Sequence, residues 1–304
     1  MNLPLVTVII PTYNRADLLP RAVSSVLNQT YAALELLIVD DGSTDGTAEV
    51  VKRFQDPRVR FLRLDQNQGQ CAAMNAGIEA ARGDWVCFLD SDDEYLETCI
   101  ERQMTVFQTR GSEALGVVYV LSGERTPDGR VIPAHFNALE GDVYAGALTQ
   151  GYVAPSITLL IRKTCFDQVG YWDTQFRCFQ DDDLCIRLAK QYQFEVVREV
   201  LAVVHRGAVG QLTRNRSQYA GGWYQLIHKH EREILRVVGR AVLAKHYVRA
   251  IKLFADARDR KRALHAARCA FQAAGSIWAL GRIAGRLTGE SLRKRYTIWK
   301  VRRS

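Results

Sequence analysis

Short apolar runs alternate with amphipathic segments through the first 90 residues, and this alternation restricts the fold more than any other feature. The run Leu36-Leu37-Ile38-Val39 is apolar at consecutive positions, as expected of a strand covered on both faces of a parallel sheet. The pattern predicts an α/β, Rossmann-like, mostly parallel sheet flanked by helices. Its strands are expected at residues 5–10, 34–39, 59–64 and 85–89, and its helices at 18–27, 47–54 and 71–81.

Charge divides the chain near His228. Residues 1–228 contain 21 Lys and Arg against 28 Asp and Glu, a net charge of −7, whereas residues 229–304 contain 20 against 5, a net charge of +15. The basic part also repeats apolar residues at helical spacing. We therefore expect a domain at residues 1–222 and a basic α-helical extension at 223–304.

Composition favours a cytoplasmic protein. The 304 residues are 47% hydrophobic and 24% charged, as in ordinary folded soluble proteins. No stretch reaches the roughly 20 apolar residues of a membrane span, and no basic region followed by an apolar run marks a signal peptide. The seven cysteines contain no C-x-x-C pair, which favours a reducing compartment.

The final stretch combines cations with aromatic and apolar residues. Tyr296, Ile298 and Trp299 stand among the Lys and Arg residues of 292–303. This composition suits the anionic inner face of a membrane, to which the protein would bind peripherally. A solvated basic face is an equal alternative. Nucleic acid ranks last, because no nucleic-acid-binding motif accompanies the charge.

Polar residues follow every predicted strand, at the edge where open parallel sheets bind ligands. At least five carboxylates converge there, and their mutual repulsion calls for a bound cation or a ring of donors. The segments are Pro11-Thr12-Tyr13-Asn14-Arg15, Asp40-Asp41-Gly42-Ser43, Asp65 with Asn67, and Asp90-Ser91-Asp92-Asp93.

Asp90-Ser91-Asp92 suits the binding of a diphosphate. A hard divalent cation such as Mn²⁺ or Mg²⁺, held by carboxylate oxygens, neutralises the charge of a departing diphosphate. One Asp would contact the nucleotide or its ribose and the other the metal. Capping of the next helix is the alternative. Asp41 offers an acceptor for the N–H of a pyrimidine base, or else belongs to a capped turn.

Two common nucleotide-binding motifs are absent from the sequence. No G-x-x-x-x-G-K-[ST] loop occurs, and no G-x-G-x-x-G follows the first strand. These absences argue against phosphate-loop kinases and dinucleotide dehydrogenases.

The motifs together resemble those of family 2 glycosyltransferases with the GT-A fold, over roughly residues 3–215. The resemblance implies that the domain at 1–222 has a nucleotide-binding half at about 1–115 and an acceptor-binding half at about 116–222. The resemblance rests on the first, second and fourth of these segments, on Asn67-Gln68-Gly69 and on Asn75-Ala76-Gly77. It implies transfer of a sugar, with inversion, from a nucleotide-diphosphate donor to a glycan or lipid-linked acceptor, and UDP is the expected nucleotide. The nucleotide-binding residues that it implies are Pro11, Thr12, Tyr13, Arg15, Asp41, Asn67, Gly69, Asp90 and Ser91.

An inverting displacement needs a carboxylate to take the proton of the acceptor hydroxyl. The segment Asp181-Asp182-Asp183-Leu184 opens a predicted helix and resembles the family's E-D-x-D-L pattern. By position, Asp181 is the base, and Asp183 is expected to pair with Arg187 one turn later. In isolation, three acids at a helix start would suit the helix dipole instead.

The resemblance also implies further ligands. Asp92 and His205 are the expected metal ligands, and Trp172, Gln180 and Asp182 are expected to bind the acceptor. For His205, which follows a predicted strand, an ordinary structural hydrogen bond is an equal alternative. Trp172, Tyr171 and Trp223 are candidate platforms for stacking on a sugar, with core packing as the alternative for at least one of them.

Several residues depart from the family pattern. Gln180 stands where the family has Glu, and Met74 where it commonly has a basic residue; Arg214 or Arg216 would supply the missing charge.

Two other functions stay open. A nucleotidyltransferase would share the sheet but usually carries a Gly-rich basic loop, which is absent here. A carbohydrate- or nucleotide-binding protein that has lost catalysis is the second.

Overall fold

The computed structural model describes residues 3–126, 128–134, 138–205 and 215–276. The chain divides into two compact units. One consists of Met1–Phe176 and Gln180–Gln211, and the other of Arg177–Phe179 and Leu212–Ser304. Residue 222, where the sequence suggested a domain boundary, lies inside a continuous helix that begins at Arg216.

The described residues of the first unit form nine strands: β1 (Val6–Thr12), β2 (Leu34–Asp40), β3 (Val59–Arg63), β4 (Trp85–Phe88), β5 (Glu94–Tyr95), β6 (Leu115–Arg125), β7 (Val131–Pro133), β8 (Leu159–Arg162) and β9 (Gln193–Val204). They form one mixed sheet in the order β3-β2-β1-β4-β8-β6-β9-β5, with β7 paired to β6. The first four strands in this order are mutually parallel, β8 is antiparallel to both β4 and β6, and β6 is parallel to β9.

Helices follow the strands of the parallel part, as the apolar alternation predicted. The helices of the first unit are α1 (Leu19–Leu27), α2 (Thr47–Val51), α3 (Gln70–Ala80), α4 (Cys99–Arg110), α5 (Tyr144–Gln150), α6 (Cys165–Val169) and α7 (Gln180–Ala189). A short 3-10 helix spans Ser156–Thr158.

The central strands are buried on both faces. Every residue of β1 and of β2 is buried, which explains why these strands are apolar at consecutive positions. α3 packs closely on β1 at Gly77, where an added Cβ would lie 2.6 Å from the Ile9 side chain. The four strands and three helices predicted in the first 90 residues are confirmed, with bounds that differ by at most three residues.

The described part of the second unit contains three helices, α8 (Arg216–Val237), α9 (Arg240–Asp256) and α10 (Arg260–Ala274). α8 and α10 begin with side-chain caps, because Asn215 accepts from the Gln218 N–H and Asp259 from the Arg262 N–H. Trp223 is fully buried here, and its Nε1 donates to the His246 carbonyl at 3.1 Å. A sugar-stacking role for Trp223 is therefore wrong, because its ring is enclosed in the core of this unit.

No helix within the described parts of the chain has both the length and the apolar composition needed to cross a bilayer. The helical extension predicted from the sequence is confirmed as far as residue 274. Arg214 and the basic aromatic stretch at 292–303 lie outside the described residues.

Candidate active site

The polar residues predicted at the strand ends meet at one edge of the sheet. β1 and β2 pair in register up to Thr12 and Asp40, and β4 lies on the other side of β1. The segment 90–93 therefore emerges next to the loops that follow β1 and β2. Since parallel strands all end at the same edge, the motifs at residues 11–15, 40–45 and 90–93 face one region.

Asp41 joins two loops of this region. Its Oδ1 accepts from the Gln68 N–H and its Oδ2 from the Gly69 N–H, both at 2.8 Å. Gly69 has φ 96°, a conformation that favours glycine, and it immediately precedes α3. Asp41 is also buried. Each of its two carboxylate oxygens therefore already accepts one hydrogen bond within the protein, whether or not a base is bound.

The turn after β1 is fastened to the loop after β2. The Asn14 N–H donates to Ser43 Oγ at 2.8 Å, and the Thr44 N–H donates to Asn14 Oδ1 at 2.8 Å. Asn14 has φ 52°, which Asn tolerates better than most residues. These contacts hold the backbone at Asn14, which lies between Tyr13 and Arg15.

The remaining nucleotide-binding candidates are placed along these loops. Pro11 and Thr12 are buried, Arg15 is half-buried, and Asn67 is exposed. Tyr13 is 42% exposed, which leaves its ring accessible to a nucleotide base. Among the described residues, Thr12 Oγ1 is a buried hydroxyl oxygen with no hydrogen-bond partner.

Three carboxylates form a compact acidic group after β4. Asp90, Asp92 and Asp93 each offer one oxygen, and these oxygens lie within 4.8 Å of one another. Burial, followed by the charges of Asp93, Asp181 and Asp92, raises the pKa of Asp90 well above its usual range. Burial also raises the pKa of Asp93, against a lowering by its hydrogen bond from the His205 N–H.

Two neighbours contact the acidic group, and the positive charge of one of them, Arg21, lowers the pKa of Asp93 against the effect of burial. Gln70 Nε2 donates to Asp90 Oδ1 at 2.7 Å, and Arg21 Nη2 donates to the backbone carbonyl of Asp92. Ser91 is buried between these acids in sequence. Sequence reasoning missed Gln70, Arg21 and Asp93 as site residues. Only Asp93 had a usable signal, its position next to Asp92.

The acidic group suits a hard divalent cation. Carboxylate oxygens are the ligands that Mg²⁺ and Mn²⁺ prefer, and three of them converge here within 4.8 Å. The raised pKa values of Asp90 and Asp93 show that their negative charge is not fully compensated by the protein. A bound cation would supply the missing positive charge.

Asp181 lies close enough to this group for its charge to raise the pKa of Asp90. Its Oδ2 accepts from the Ser156 N–H at 3.0 Å. Within the described residues, its Oδ1 is buried and has no hydrogen-bond partner. Burial raises the pKa of Asp181, while hydrogen bonds from the backbone and side chain of Ser156 oppose the shift. One oxygen is thus anchored and the other is available to accept a proton.

The acids around Asp181 have different environments. Asp183 is fully buried and accepts from Arg187 Nε at 2.9 Å, which confirms the predicted pair one helical turn apart. Asp182 is buried. The pKa of Tyr152 is raised mainly by burial, and the charge of Asp182 raises it further. Gln180 is half-buried, and its Oε1 has no partner among the described residues.

His205 contacts two acids next to the D-x-D segment. Its backbone N–H donates to Asp93 Oδ1 at 2.9 Å, and its Nε2 lies 3.2 Å from Glu94 Oε1. In the described part of the chain, the group of clustered metal-ligand atoms consists of the three Asp residues and does not include His205. A metal-ligand role for His205 stays a prediction.

Trp172 occupies the core and not an open binding surface. It is 2% exposed, and its ring lies edge to face with Phe88 at 5.1 Å between centroids. The predicted stacking of this ring on a sugar is wrong, because the ring is buried and packed against Phe88. Tyr171 is half-buried and packs edge to face with Phe166 at 6.0 Å.

The fold resembles those of solved glycosyltransferases. A mannosyltransferase from Pyrobaculum calidifontis, solved with GDP-Man and Mn²⁺, is 21% identical, with a TM-score of 0.64 over 98% of this chain and 83% of that one. TarS of S. aureus, solved with UDP-GlcNAc, is 18% identical, with a TM-score of 0.66 over 92% and 82% of the two chains. The predicted GT-A type of fold, with C-terminal helices, is confirmed.

Sequence relatives agree with this assignment. The succinoglycan biosynthesis protein ExoO of Rhizobium meliloti is 46% identical over 33% of this chain and 30% of its own length. The aligned part of this chain spans less than two thirds of the length of this relative and of three other relatives that are 33 to 43% identical to it. The profile of the family described as Glycosyl transferase family 2 matches residues 7–164, more than half of the chain. The chain therefore belongs to glycosyltransferase family 2.

Proposed function

We propose that the protein transfers a sugar from a nucleotide-diphosphate donor, preferably a UDP-sugar, to a hydroxyl group of a glycan or lipid-linked acceptor, with inversion. The observation that carries this proposal is the position of Asp181. Its unpartnered oxygen is buried, and its charge acts on Asp90 of the D-x-D segment. This proximity supports a general base beside the proposed diphosphate site.

Asp181 acts as the general base in this proposal. The acceptor hydroxyl gives its proton to Asp181 Oδ1 as its oxygen bonds to the anomeric carbon. The bond from that carbon to the diphosphate oxygen breaks on the opposite face, and the nucleoside diphosphate leaves with the electron pair. Burial raises the pKa of Asp181, which makes it a stronger base than an exposed carboxylate.

The donor is held by the loops after β1, β2 and β4. Tyr13 presents an exposed ring for the base, and Asp41 and Gly69 line the loop junction beside it. Asp90 and Ser91 are assigned to the ribose and diphosphate. A Mn²⁺ or Mg²⁺ ion bound by Asp92, with Asp90 and Asp93, would neutralise charge on the leaving diphosphate. Gln180 and Asp182 are assigned to the acceptor.

The relatives support the classes of donor and acceptor. Succinoglycan biosynthesis is the process named for the Rhizobium meliloti relative, and we assign this chain to polysaccharide or glycolipid biosynthesis on that basis. The two solved structures contain UDP-GlcNAc in one case and GDP-Man with Mn²⁺ in the other. Both ligands are nucleotide-diphosphate sugars.

Calorimetric titration of UDP, dTDP, GDP and CDP, with and without Mn²⁺, tests the proposal. We expect Mn²⁺-dependent binding of one nucleotide, preferably UDP, and its loss in Asp92→Asn. Asp84→Asn, which changes an exposed acid just before β4, at the opposite edge of the sheet, serves as the matched control. Binding followed by release of nucleoside diphosphate from the cognate sugar donor and acceptor supports transfer.

Other results would favour other functions. Release of inorganic pyrophosphate from a nucleoside triphosphate and a sugar phosphate would indicate a nucleotidyltransferase. Nucleotide binding without turnover of any UDP-, dTDP- or GDP-sugar would indicate a protein that has lost catalysis.

We further propose that the basic helices contact an anionic membrane surface. Residues 215–276 contain 13 Lys and Arg against 4 Asp and Glu. On α10, Leu264 is 72% exposed and Phe271, two turns later, is 49% exposed. Exposed apolar residues among cations suit the interface of an anionic bilayer. Such binding would make the protein peripheral on the cytoplasmic face, where lipid-linked acceptors are found.

Vesicle sedimentation tests this contact. We expect the protein to pellet with phosphatidylglycerol vesicles at low salt, and much less with phosphatidylcholine vesicles or in the double variant Leu264→Gln, Phe271→Gln. Ile132→Gln, at an exposed apolar site on β7, is the control. Equal pelleting of the double variant and the wild type would argue against a role for α10.

A further inference from the structure

A chain of polar contacts runs from Arg125 to Asp93 beside the acidic group. Arg125 donates from Nε to Glu94 Oε1 at 2.6 Å, and its Nη2 contacts the same oxygen. That oxygen lies 3.2 Å from Nε2 of His205, which is ion-pair distance when the imidazole is protonated, although the geometry is not that of a hydrogen bond. The backbone N–H of His205 then donates to Asp93 Oδ1 at 2.9 Å. The proposed reaction assigns no role to Glu94 or Arg125.

Three strands bring these residues together. Glu94 begins β5, Arg125 ends β6, and His205 directly follows β9. Glu94 pairs with Val203 across β5 and β9, and Glu124 pairs with Val204 across β6 and β9. Because all three residues stand at ordered strand ends, their separations are set by the sheet and not by a free loop.

Glu94 brings a further negative charge close to the acidic group. Glu94 follows three carboxylates of the acidic group in sequence, and its charge contributes to raising the pKa of Asp93. Its side chain is only 17% exposed, so solvent screens this repulsion poorly. A neutral residue would avoid the repulsion. Arg125, which also donates to the Gly129 carbonyl at 2.8 Å, compensates the charge and holds the carboxylate in place.

We propose that Glu94 and Arg125 are positioning residues of the acidic group. They hold the side chain of His205, and through the His205 backbone N–H they fix the carboxylate of Asp93 in the group with Asp90 and Asp92. This inference rests on the proposed function of that group as a divalent-cation site. It assigns Asp93 as a third carboxylate ligand, held in place from three strands.

Groups that orient metal ligands from behind affect affinity strongly. Their removal commonly weakens metal binding by about 10- to 100-fold. Glu94→Gln keeps the size of the side chain but removes the charge that holds Arg125 and His205. We therefore expect this variant to bind Mn²⁺ about 10-fold more weakly, and Arg125→Met to bind it more weakly by a similar factor.

Mn²⁺ titration calorimetry, in the absence of substrate, provides the test. The matched control is Glu195→Gln, which breaks an ion pair of the same type, Arg110 Nη1 to Glu195 Oε2 at 3.0 Å, on the surface. We expect the control to keep the wild-type dissociation constant. Thermal unfolding of each variant verifies that the fold is retained.

A double-mutant cycle separates this role from a general structural one. If Glu94 acts through Asp93, Glu94→Gln should cause no further loss of Mn²⁺ affinity in an Asp93→Asn background. A dissociation constant of Glu94→Gln within twofold of the wild type would overturn the proposal, as would equal losses in both backgrounds. Failure of the wild type itself to bind Mn²⁺ would instead overturn the cation site on which the proposal rests.

Discussion

Asn75 and Trp172 exchange two hydrogen bonds of 2.9 Å. Asn75 Nδ2 donates to the Trp172 carbonyl, and the Trp172 N–H donates to Asn75 Oδ1. A side chain of α3 thus satisfies both backbone groups of a buried residue in the segment that precedes α7. An amide is suited to this role because it combines a donor and an acceptor.

Loss of the Asn75 side chain should therefore destabilise the protein. We expect Asn75→Ala to lower the free energy of unfolding by about 2 kcal/mol, because two buried backbone groups lose their partners. Chemical denaturation measures this change. Asn28→Ala, at an exposed site after α1, should change stability by less than about 0.5 kcal/mol. Equal effects at the two sites would contradict the interpretation.

Replacement of the proposed base should remove turnover but not donor binding. We expect Asp181→Asn to lower kcat at least about 100-fold, with nucleotide and Mn²⁺ affinities within a few-fold of the wild type. Asp167→Asn, at an exposed acid of α6, should keep full activity. Release of nucleoside diphosphate measures kcat. Turnover of Asp181→Asn at the wild-type rate would exclude Asp181 as the base.

The affinity for Mn²⁺ should rise with pH. Burial and neighbouring carboxylates raise the pKa of Asp90 and of Asp93, so protons compete with the cation at pH values where exposed carboxylates are already ionised. We expect weaker binding at pH 5.5 than at pH 7.5, accompanied by proton release. Calorimetry in two buffers of different ionisation enthalpy counts the protons. A dissociation constant independent of pH across this range would contradict the prediction.

Glu35, at the opposite end of the strands, should stabilise the fold at neutral pH. Burial acts to raise the pKa of Glu35, but hydrogen bonds from Thr7, Arg82 and Arg60 outweigh it and lower the pKa. The contacts are short: Thr7 Oγ1 and Arg60 Nη1 each lie 2.6 Å from a carboxylate oxygen. A lowered pKa means that the stabilisation is present above the pKa of the unfolded chain and is lost as pH falls through the folded value.

We expect Glu35→Gln to reduce stability by about 3 kcal/mol at pH 7. The difference from the wild type should shrink as the pH falls below the usual glutamate pKa of about 4.3 and through the lower pKa of the folded protein. Denaturation at several pH values measures both quantities. Glu49→Gln, at an exposed acid of α2, is the control. A difference that grows as the pH falls would show that the sign of the pKa shift is wrong.

The sequence was sufficient to predict the parallel half of the sheet. The apolar runs that became β1 to β4 are continuous because those strands are buried on both faces, and periodicity separates them clearly from the helices. The other half was not predictable in this way. β5 has two residues and pairs with β9, more than 100 residues later, and no local pattern carries information about such a pairing.

The site shows the same division. Asp90, Asp92 and Asp181 were found from motifs, and the structure brings them together. The burial of Trp172 could not be read from the sequence, because an aromatic residue after a turn suits a binding surface as well as a core. Glu94, Arg125 and Arg21 carry no motif. Their contacts depend on strand order, which only the folded chain defines.

The hydrogen bonds of Asp41 also bear on the affinity of the proposed nucleotide site. Its two oxygens are already engaged by backbone N–H groups 27 and 28 positions later in the chain, so the loops after β2 and β3 are joined once folding is complete. In the proposed function, a nucleotide would therefore bind beside loops that are already ordered in the free protein. The entropy of ordering these loops is lost during folding, which would leave more of the contact energy available for nucleotide affinity.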